Sequence, residues 1–283
     1  MTPSFRVVCR TTLGFVRRHA ALAGLVAALS VFLCAGYASA AAAPSADRDL
    51  AAAVGPVARA DGDHVTVAVD DLTTGTDASY GGTREFVTAS IVKVDILCTL
   101  LYQSQKSGRA LTSAEKALAT TMIENSDNDS ASSLYSDAGG AAGVDRANRV
   151  FGLSQTTAGT GPYWGLTTTT VDDQIRLLRL VLTRPSVLTA ASQHYVQHLM
   201  GHVEAAQHWG VPAAADHGTR FIVKNGWLPD PDTGLWEINS IGEVVHNHQH
   251  LLITVLSDDN ASEASGISVV EEIARKAAGA MAR

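Results

Sequence analysis

Glu85-Phe-Val-Thr-Ala-Ser90-Ile-Val-Lys93-Val-Asp-Ile-Leu-Cys-Thr-Leu100 is the stretch whose reading decides the fold. Glu85 to Ala89 reads as a strand-like approach, and Ile91 to Gln105 as a strongly apolar helix, the pattern of a helix buried in a core. A Ser and a Lys three residues apart share one helix face, so the amine of Lys93 can reach the hydroxyl of Ser90. At the helix start Ser90 lies in the positive end of the dipole. That field, with apolar Ile91, Val92, Val94, Ile96 and Leu97 around it, lowers the pKa of Lys93 and favours a neutral general base. The chain carries a second Ser-x-x-Lys, Ser113-Ala-Glu-Lys116. This copy overlaps a capping box, Thr112-Ser-Ala-Glu115, and reads as a solvated helix start.

Outward from this helix the pattern is symmetric. On the N-terminal side, Ala46 to Ala60 is alanine-rich and helix-like, and His64 to Asp70 alternates with period two as a strand. Asp71-Leu-Thr-Thr-Gly-Thr is turn chemistry, so a second strand follows through Ala78-Ser-Tyr80. On the C-terminal side, helices are expected from Thr112 to about Glu124, after Gly139-Gly140 through Phe151, from Thr170 to Leu182, and from about Thr189 to Trp209. Strands return at Arg220–Lys224, Leu235–Asn239 and Leu251–Leu256, and Ala261 to Ala282 closes as a helix. The expected fold is therefore α+β: an antiparallel sheet flanked by N- and C-terminal helices, carrying an inserted all-helical subdomain. The sheet part is assigned to about 41–84 and 216–283, and the helical part to about 85–215.

Two further triplets join the first motif. Ser126-Asp127-Asn128 follows the helix ending near Glu124, and Lys224-Asn225-Gly226 lies on a strand. Each alone is ordinary loop or strand-end chemistry. In this order and context, a strand-to-helix Ser-x-x-Lys, an interhelical Ser-Asp-Asn and a strand-borne Lys-x-Gly resemble the penicillin-recognising serine enzymes, particularly class A β-lactamases. Leu166-Thr-Thr-Thr-Thr170 and Leu188-Thr-Ala-Ala-Ser192, each leading into a helix, match in order as well.

The resemblance implies a β-lactamase/transpeptidase-like fold and a set of roles. Ser90 attacks a carbonyl to form an acyl-enzyme, with Lys93 as its base. Ser126 relays a proton to the leaving nitrogen. Asn128 binds the substrate's side-chain amide and helps hold Lys93. Lys224 supplies positive potential for a substrate carboxylate, and Gly226 lets the strand backbone approach. The N–H groups of Ser90 and Trp227 form the oxyanion hole. The implied partner is a small molecule, a β-lactam or peptidoglycan-like amide, with no cofactor and no metal.

Three departures qualify this. Asn225 stands where β-lactamases usually have Thr or Ser, although an amide can still donate to a carboxylate. The stretch between Ser90 and Ser126 is short, without room for a hairpin wall. Class A enzymes also carry a deacylating Glu on the loop before the Thr-rich helix start. Here no Glu occurs between Glu124 and Glu204, and about 153–166 contains no carboxylate at all. Tyr163 and Trp164 stand there instead, as cleft-lining or packing residues. The expected enzyme is a serine hydrolase with slow deacylation. A peptidoglycan D,D-peptidase or a non-hydrolytic β-lactam- or peptidoglycan-binding protein are the alternatives.

The ends and the histidines complete the reading. Residues 1–40 hold Arg6, Arg10, Arg17 and Arg18 and no Asp or Glu; removing them leaves 17 basic against 28 acidic groups, a net of −11. With the apolar run Ala20–Ala35 and Ala38-Ser39-Ala40, this is the pattern of a cleaved signal peptide and a secreted monomeric domain from 41 to 283, without stable membrane insertion. Arg17-Arg18 fits a twin-arginine signal poorly, and Leu33 is larger than the residue usual before a lipidated cysteine, so anchoring at Cys34 is the lesser alternative. The acidic remainder argues against a nucleic-acid binder, and 46% apolar with 17% charged residues excludes a disordered chain. Cys98, alone after signal removal, reads as a small hydrophobe. His194, His198 and His202 recur every four residues, and His246, His248 and His250 alternate. Both spacings can bind zinc, but spacing alone shows no convergence, and both groups are read as solvated.

Overall fold

In the computed structural model, residues 46–62 and 64–282 are described. The signal-peptide reading, with Cys34 and cleavage near Ala40, lies outside them. Helix α1 (Ala46–Ala60) precedes strands β1 (Val65–Asp71) and β2 (Thr76–Tyr80). The nucleophile approach forms β3 (Phe86–Val87), a 3-10 turn at Ala89–Ile91, and α2 (Val92–Lys106). Helices α3 (Ser113–Glu124), α4 (Asn128–Asp137) and α5 (Gly140–Phe151) follow, then β4 (Thr168–Thr169), α6 (Val171–Leu182) and α7 (Ala190–Met200). The chain returns through β5 (Ile222–Pro229), β6 (Trp236–His246), β7 (Gln249–Asn260) and α8 (Glu263–Met281).

The main sheet is antiparallel in the order β2-β1-β7-β6-β5, so the last three strands add beside β1, with β7 paired to it and β5 at the edge. Period-two patterning divides two cores across it. Val65, Val67 and Val69 of β1 and Leu251, Ile253 and Val255 of β7 pack with Leu50, Val54, Val270 and Ile273 of α1 and α8. Ala68, Leu252 and Leu256 face the other way and join Ile96, Leu97, Leu134, Leu177 and Leu178 of the helical part. A sheet covered on both faces requires apolar residues in consecutive positions of its central strands, as β7 shows. The expected sheet with flanking terminal helices and helices between is thus what the chain adopts.

Local signals placed most elements within two residues. Thr112 caps α3 with both bonds of the capping box, Glu115 N to Thr112 Oγ1 at 3.1 Å and Thr112 N to Glu115 Oε2 at 2.7 Å. Thr170 and Thr189 cap α6 and α7. Two expectations need correction. The helix expected from Thr189 to Trp209 ends at Met200; Gly201 follows it, and Gly210 at φ 79° with Pro212 breaks the remainder into two short 3-10 turns, 205–207 and 211–214. The last three strands are longer than expected, because β6 and β7 join through a two-residue turn in which Asn247 and His248 both have positive φ, 47° and 65°. That turn matches the strand twist and lets pairing run from Trp236↔Asn260 to His246↔Gln249.

Candidate active site

Ser90 lies on the 3-10 turn between β3 and α2, half-buried, with Lys93 fully buried one turn on. The turn is fixed from three sides. Thr88 N donates to Thr167 O at 2.8 Å, tying it to the β3–β4 ribbon. Asn239 of β6 donates through Nδ2 to the carbonyls of Val87 (2.8 Å) and Thr88 (3.2 Å), while its Oδ1 accepts from Ser257 N at 3.2 Å. The edge strand β5 closes the third side, and Gly226 is what permits it: a Cβ there would lie 2.6 Å from Thr88 O and 2.8 Å from Ser90 N. Ala89, immediately before the nucleophile, is held at φ 46°, a left-handed conformation that costs a non-glycine residue about 1–3 kcal/mol. Asn239→Ala removes one partner each from Val87 O, Ser257 N and Thr88 O, the last still accepting from Ile91 N at 3.3 Å; a backbone group left unpaired costs roughly 1–3 kcal/mol. A fall in Tm of roughly 5–10 °C is expected, with weakened acylation; an unchanged thermal melt would contradict this anchoring role.

Lys93 Nζ meets four oxygens: Ser90 Oγ at 3.0 Å, Ser126 O at 2.5 Å, Ser126 Oγ at 3.1 Å and Asn128 Oδ1 at 2.8 Å. The carbonyl and the amide oxygen can only accept, so they take two N–H groups. A neutral amine then has its lone pair left for the Ser90 proton. Burial brings the amine down from the usual lysine range to about 7, with the charge of Asp127 pulling weakly the other way. Asp127 caps α4 through Ser130 N at 2.7 Å, and the hydroxyl and N–H of Ser130, with the nearby Lys93, hold its carboxyl below the usual value. Ser126 is also left-handed, φ 57°, which aims both its hydroxyl and its carbonyl at Lys93.

Lys224 of β5 reaches the same hydroxyl, Nζ to Ser126 Oγ at 3.0 Å, with Asn225 O at 3.0 Å and Gln207 Oε1 at 3.5 Å. Ser126 Oγ therefore bridges two buried amines. Burial and the neighbouring Lys93 hold Lys224 well below the ordinary lysine range. An arriving carboxylate would favour its charged form.

The structure thus brings together Ser90, Lys93, Ser126, Asn128 and Lys224, with the backbone of Gly226 against the nucleophile turn and Trp227 next along β5. Asn225 is placed otherwise. Both its amide hydrogens are engaged away from this cluster, with Gln207 O (2.9 Å) and Trp209 O (3.1 Å). The expected donation to a substrate carboxylate is corrected to a tie between β5 and the 205–214 segment. A strand directs successive side chains to opposite faces, so Lys224 and Asn225 point apart.

Sequence reasoning left Trp164 undecided and did not find Asn239. The Trp164 ring lies over Lys93 Nζ, 4.9 Å from the ring centre, and its indole N–H donates to Ser132 Oγ at 3.1 Å. The loop that carries it is fastened by carboxylates from outside it: Asp173 accepts from Gln155 N (2.7 Å) and Thr156 Oγ1 (2.8 Å), and Asp145 from Ala158 N (2.9 Å).

Among the described residues the rival histidines form no cluster of three ligating groups, although the His198 and His202 ring centres lie 4.2 Å apart. His202 has left the helix and its ring contacts His198 O, while His194 and His198 border a groove of about 660 Å³ between α2, α3 and α7 that includes none of the Ser90 cluster. His248 sits in the β6–β7 turn, His246 bonds Ala214 O and His250 bonds Glu243. Among the described residues, the ligating side chains that do cluster are His64, Asp258 and Asp259, and Arg84 already occupies both oxygens of Asp258 at 2.8 Å.

Comparison with known proteins bears on the fold and the family. The solved structures it resembles include a class A beta-lactamase from Bacteroides cellulosilyticus (TM-score 0.71, 16% identity, 84% of this chain and 99% of that one). A beta-lactamase from Chitinophaga pinensis (0.72, 20%, 81% and 97%) and the TLA-1 extended-spectrum beta-lactamase (0.73, 16%, 83% and 100%) are similar to the same degree. At these identities the likeness is one of fold. A curated relative, "Putative lipoprotein LppW" of Mycobacterium tuberculosis strain H37Rv, is 28% identical over 180 residues, 60% of this chain; the chain spans 56% of that relative's length. The sequence pattern of the beta-lactamase enzyme family matches residues 46–116 and 115–281, nearly everything outside the N-terminal segment, and the chain belongs to that family.

Proposed function

We propose that this chain is an active-site serine acyl-transfer enzyme that opens a β-lactam or related amide on Ser90 and releases the acyl group slowly. The observation that carries the reading is the placement of Lys93 Nζ, 3.0 Å from Ser90 Oγ with two of its other contacts, Ser126 O and Asn128 Oδ1, on groups that can only accept. Neutral Lys93 takes the proton as Ser90 Oγ bonds to the carbonyl carbon, and the developing oxyanion is held by the N–H groups of Ser90 and Trp227. As the C–N bond breaks, Ser126 gives its proton to the leaving nitrogen and is resupplied by the amine beside it. Asn128, whose oxygen is spent on Lys93, keeps its N–H₂ for the substrate's amide carbonyl. Lys224 faces the substrate carboxylate, a local cation in an otherwise acidic protein.

Slow release follows from the carboxylate-free 153–166 segment, since acylation does not require the missing Glu and class A deacylation does. The same feature supports a second reading as a D,D-peptidase or a β-lactam- or peptidoglycan-binding protein. The composition of residues 1–40 supports export, to the compartment in which these substrates occur. The lipoprotein name of the relative keeps anchoring at Cys34 beside cleavage near Ala40. Among the described residues, no helix is long and apolar enough to cross a membrane.

Incubation with a labelled penicillin tests the reading. A one-to-one adduct is expected on the wild-type protein and none on Ser90→Ala, and the adduct should persist for many minutes after free drug is removed. Steady turnover without an accumulating adduct would overturn slow release. Release of D-alanine from a D-alanyl-D-alanine peptide would select the peptidase reading.

A further inference from the structure

Trp164 is buried, 8% exposed, and its position is fixed on both sides. Its indole N–H is spent on Ser132 Oγ at 3.1 Å. Its carbonyl accepts from Thr167 Oγ1 at 2.7 Å, and Thr167 O in turn accepts from Thr88 N at 2.8 Å, two residues before the nucleophile. The ring is therefore tied to the nucleophile turn and lies over Lys93 Nζ, 4.9 Å from the ring centre.

Hydrolysis of an acyl group on Ser90 needs a water oxygen to bond to the ester carbon, a base to take the water's proton, and a proton returned to Ser90 Oγ as its bond to carbon breaks. An indole supplies one donor and no oxygen or nitrogen acceptor. With that donor engaged, the ring presents only carbon over Lys93 Nζ and takes the space a water would need to hand its proton to that amine.

We propose that Trp164 is a positioning residue that holds water off the Lys93 side of the acyl-serine, leaving the Ser126 side as the route by which the acyl group is released. The inference rests on the acyl-serine reading above and adds a distinction between substrates. When a β-lactam opens, its amine stays covalently attached to the acyl group and lies on the Ser126 side, so neither face admits water and the adduct persists. A simple ester or a linear amide loses its leaving group from that side, and water or an amine can then enter by the same route with Ser126 and Lys93 as base.

The test compares wild type, Trp164→Phe, Trp164→Ala and Ser132→Ala, each acylated with benzylpenicillin and separately with p-nitrophenyl acetate, and follows decay of the adduct by intact-protein mass spectrometry with Ser90→Ala as the blank. For the penicillin adduct, W164A should decay at least about tenfold faster than wild type and W164F within about twofold, corresponding to ~1.4 kcal/mol per factor of ten. S132A, which frees the indole without altering the ring, should fall between them and keeps the test available where W164A does not fold. The acetyl adduct should change by less than threefold in every variant. In W164A the pH limb of acylation should also move upward, because uncovering Lys93 restores its hydration. Equal penicillin decay in wild type, W164A and S132A overturns the shield while the acyl-serine reading stands. Absence of any Ser90 adduct from either reagent overturns both.

Discussion

Lys93→Met is expected to lower the rate of Ser90 acylation by about three orders of magnitude, within the 10²–10⁴ span of a positioned general base, and to abolish the pH limb near 7 expected of the wild-type protein. Burial is the main reason that the amine sits at about 7 rather than in its usual range. Below that pH it is protonated and cannot accept the serine proton, so acylation should fall about tenfold per unit as pH drops through 6. Above it the rate should level off. Stability moves by the same linkage. Between about 7 and the ordinary lysine value of 10.5 the unfolded chain binds a proton that the folded site does not. Wild-type stability therefore rises with pH across that window, and the charge penalty is fully present below it. Met removes this dependence, so the gap between the wild-type and K93M melting temperatures should change in the wild type's favour from pH 6 to pH 10. Stopped-flow acylation by a chromogenic cephalosporin, run beside thermal melts at both pH values, gives both readouts. A K93M protein that acylates within tenfold of wild type would end the assignment of Lys93 as the base. A limb at 7 that survives in K93M would transfer it to another group.

What could be read from residues and what could not divides along one physical line. Features set by neighbours within a turn were legible: the three-residue spacing that puts Lys93 3.0 Å from Ser90, the Thr112–Glu115 capping box, and the two-residue alternation of β1. The family's order of motifs extended this to Ser126, Asn128 and Lys224. Features set by partners far along the chain were not. Asn225 has the chemistry to hold a carboxylate, but which strand face it occupies depends on register, and its two hydrogens go to Gln207 and Trp209. Asn239 is one polar residue inside a strand pattern until Val87 and Thr88 arrive to accept from it. Ala89 and Ser126 carry no glycine-like signal for positive φ, because the surrounding contacts, not their own preference, hold them there. The early end of α7 had a signal in Gly201, Gly210 and Pro212, which a helix drawn through to Trp209 left unused. Trp164 was legible as a residue without a carboxylate's chemistry, while its seat over Lys93 required the fold.

Gly226→Ala separates the geometry of the oxyanion hole from the presence of its parts, and is expected to reduce acylation by about 10²–10³-fold, the loss seen when one oxyanion donor is removed. Every atom that acts stays in place chemically: Ser90, Lys93, Ser126 and Lys224 are unchanged, and so are the N–H groups of Ser90 and Trp227. The added methyl, however, would lie 2.6 Å from Thr88 O, 2.8 Å from Ser90 N and 3.0 Å from Ile91 N. All three are backbone atoms, so no side chain can rotate away. Either β5 or the nucleophile turn must retreat, and the turn is held by Thr167 and Asn239. The retreat therefore falls on β5, at the sheet's free edge, and carries Lys224 and Trp227 with it. Overpacking of this kind costs about 1–3 kcal/mol, small enough for the variant to remain folded while the gap between strand and serine widens. Gly279 on α8 is the matching control, since a Cβ there meets nothing within 4 Å; Gly279→Ala should raise stability by roughly 0.5–1 kcal/mol, as alanine does in an exposed helix, and leave acylation untouched. The signature to look for is a lower rate constant for acylation with nearly unchanged pH dependence, because Lys93 keeps its partners. G226A acylating within threefold of wild type would mean that the approach of β5 to Ser90 is packing alone, and that the carbonyl oxygen is stabilised from somewhere other than Trp227.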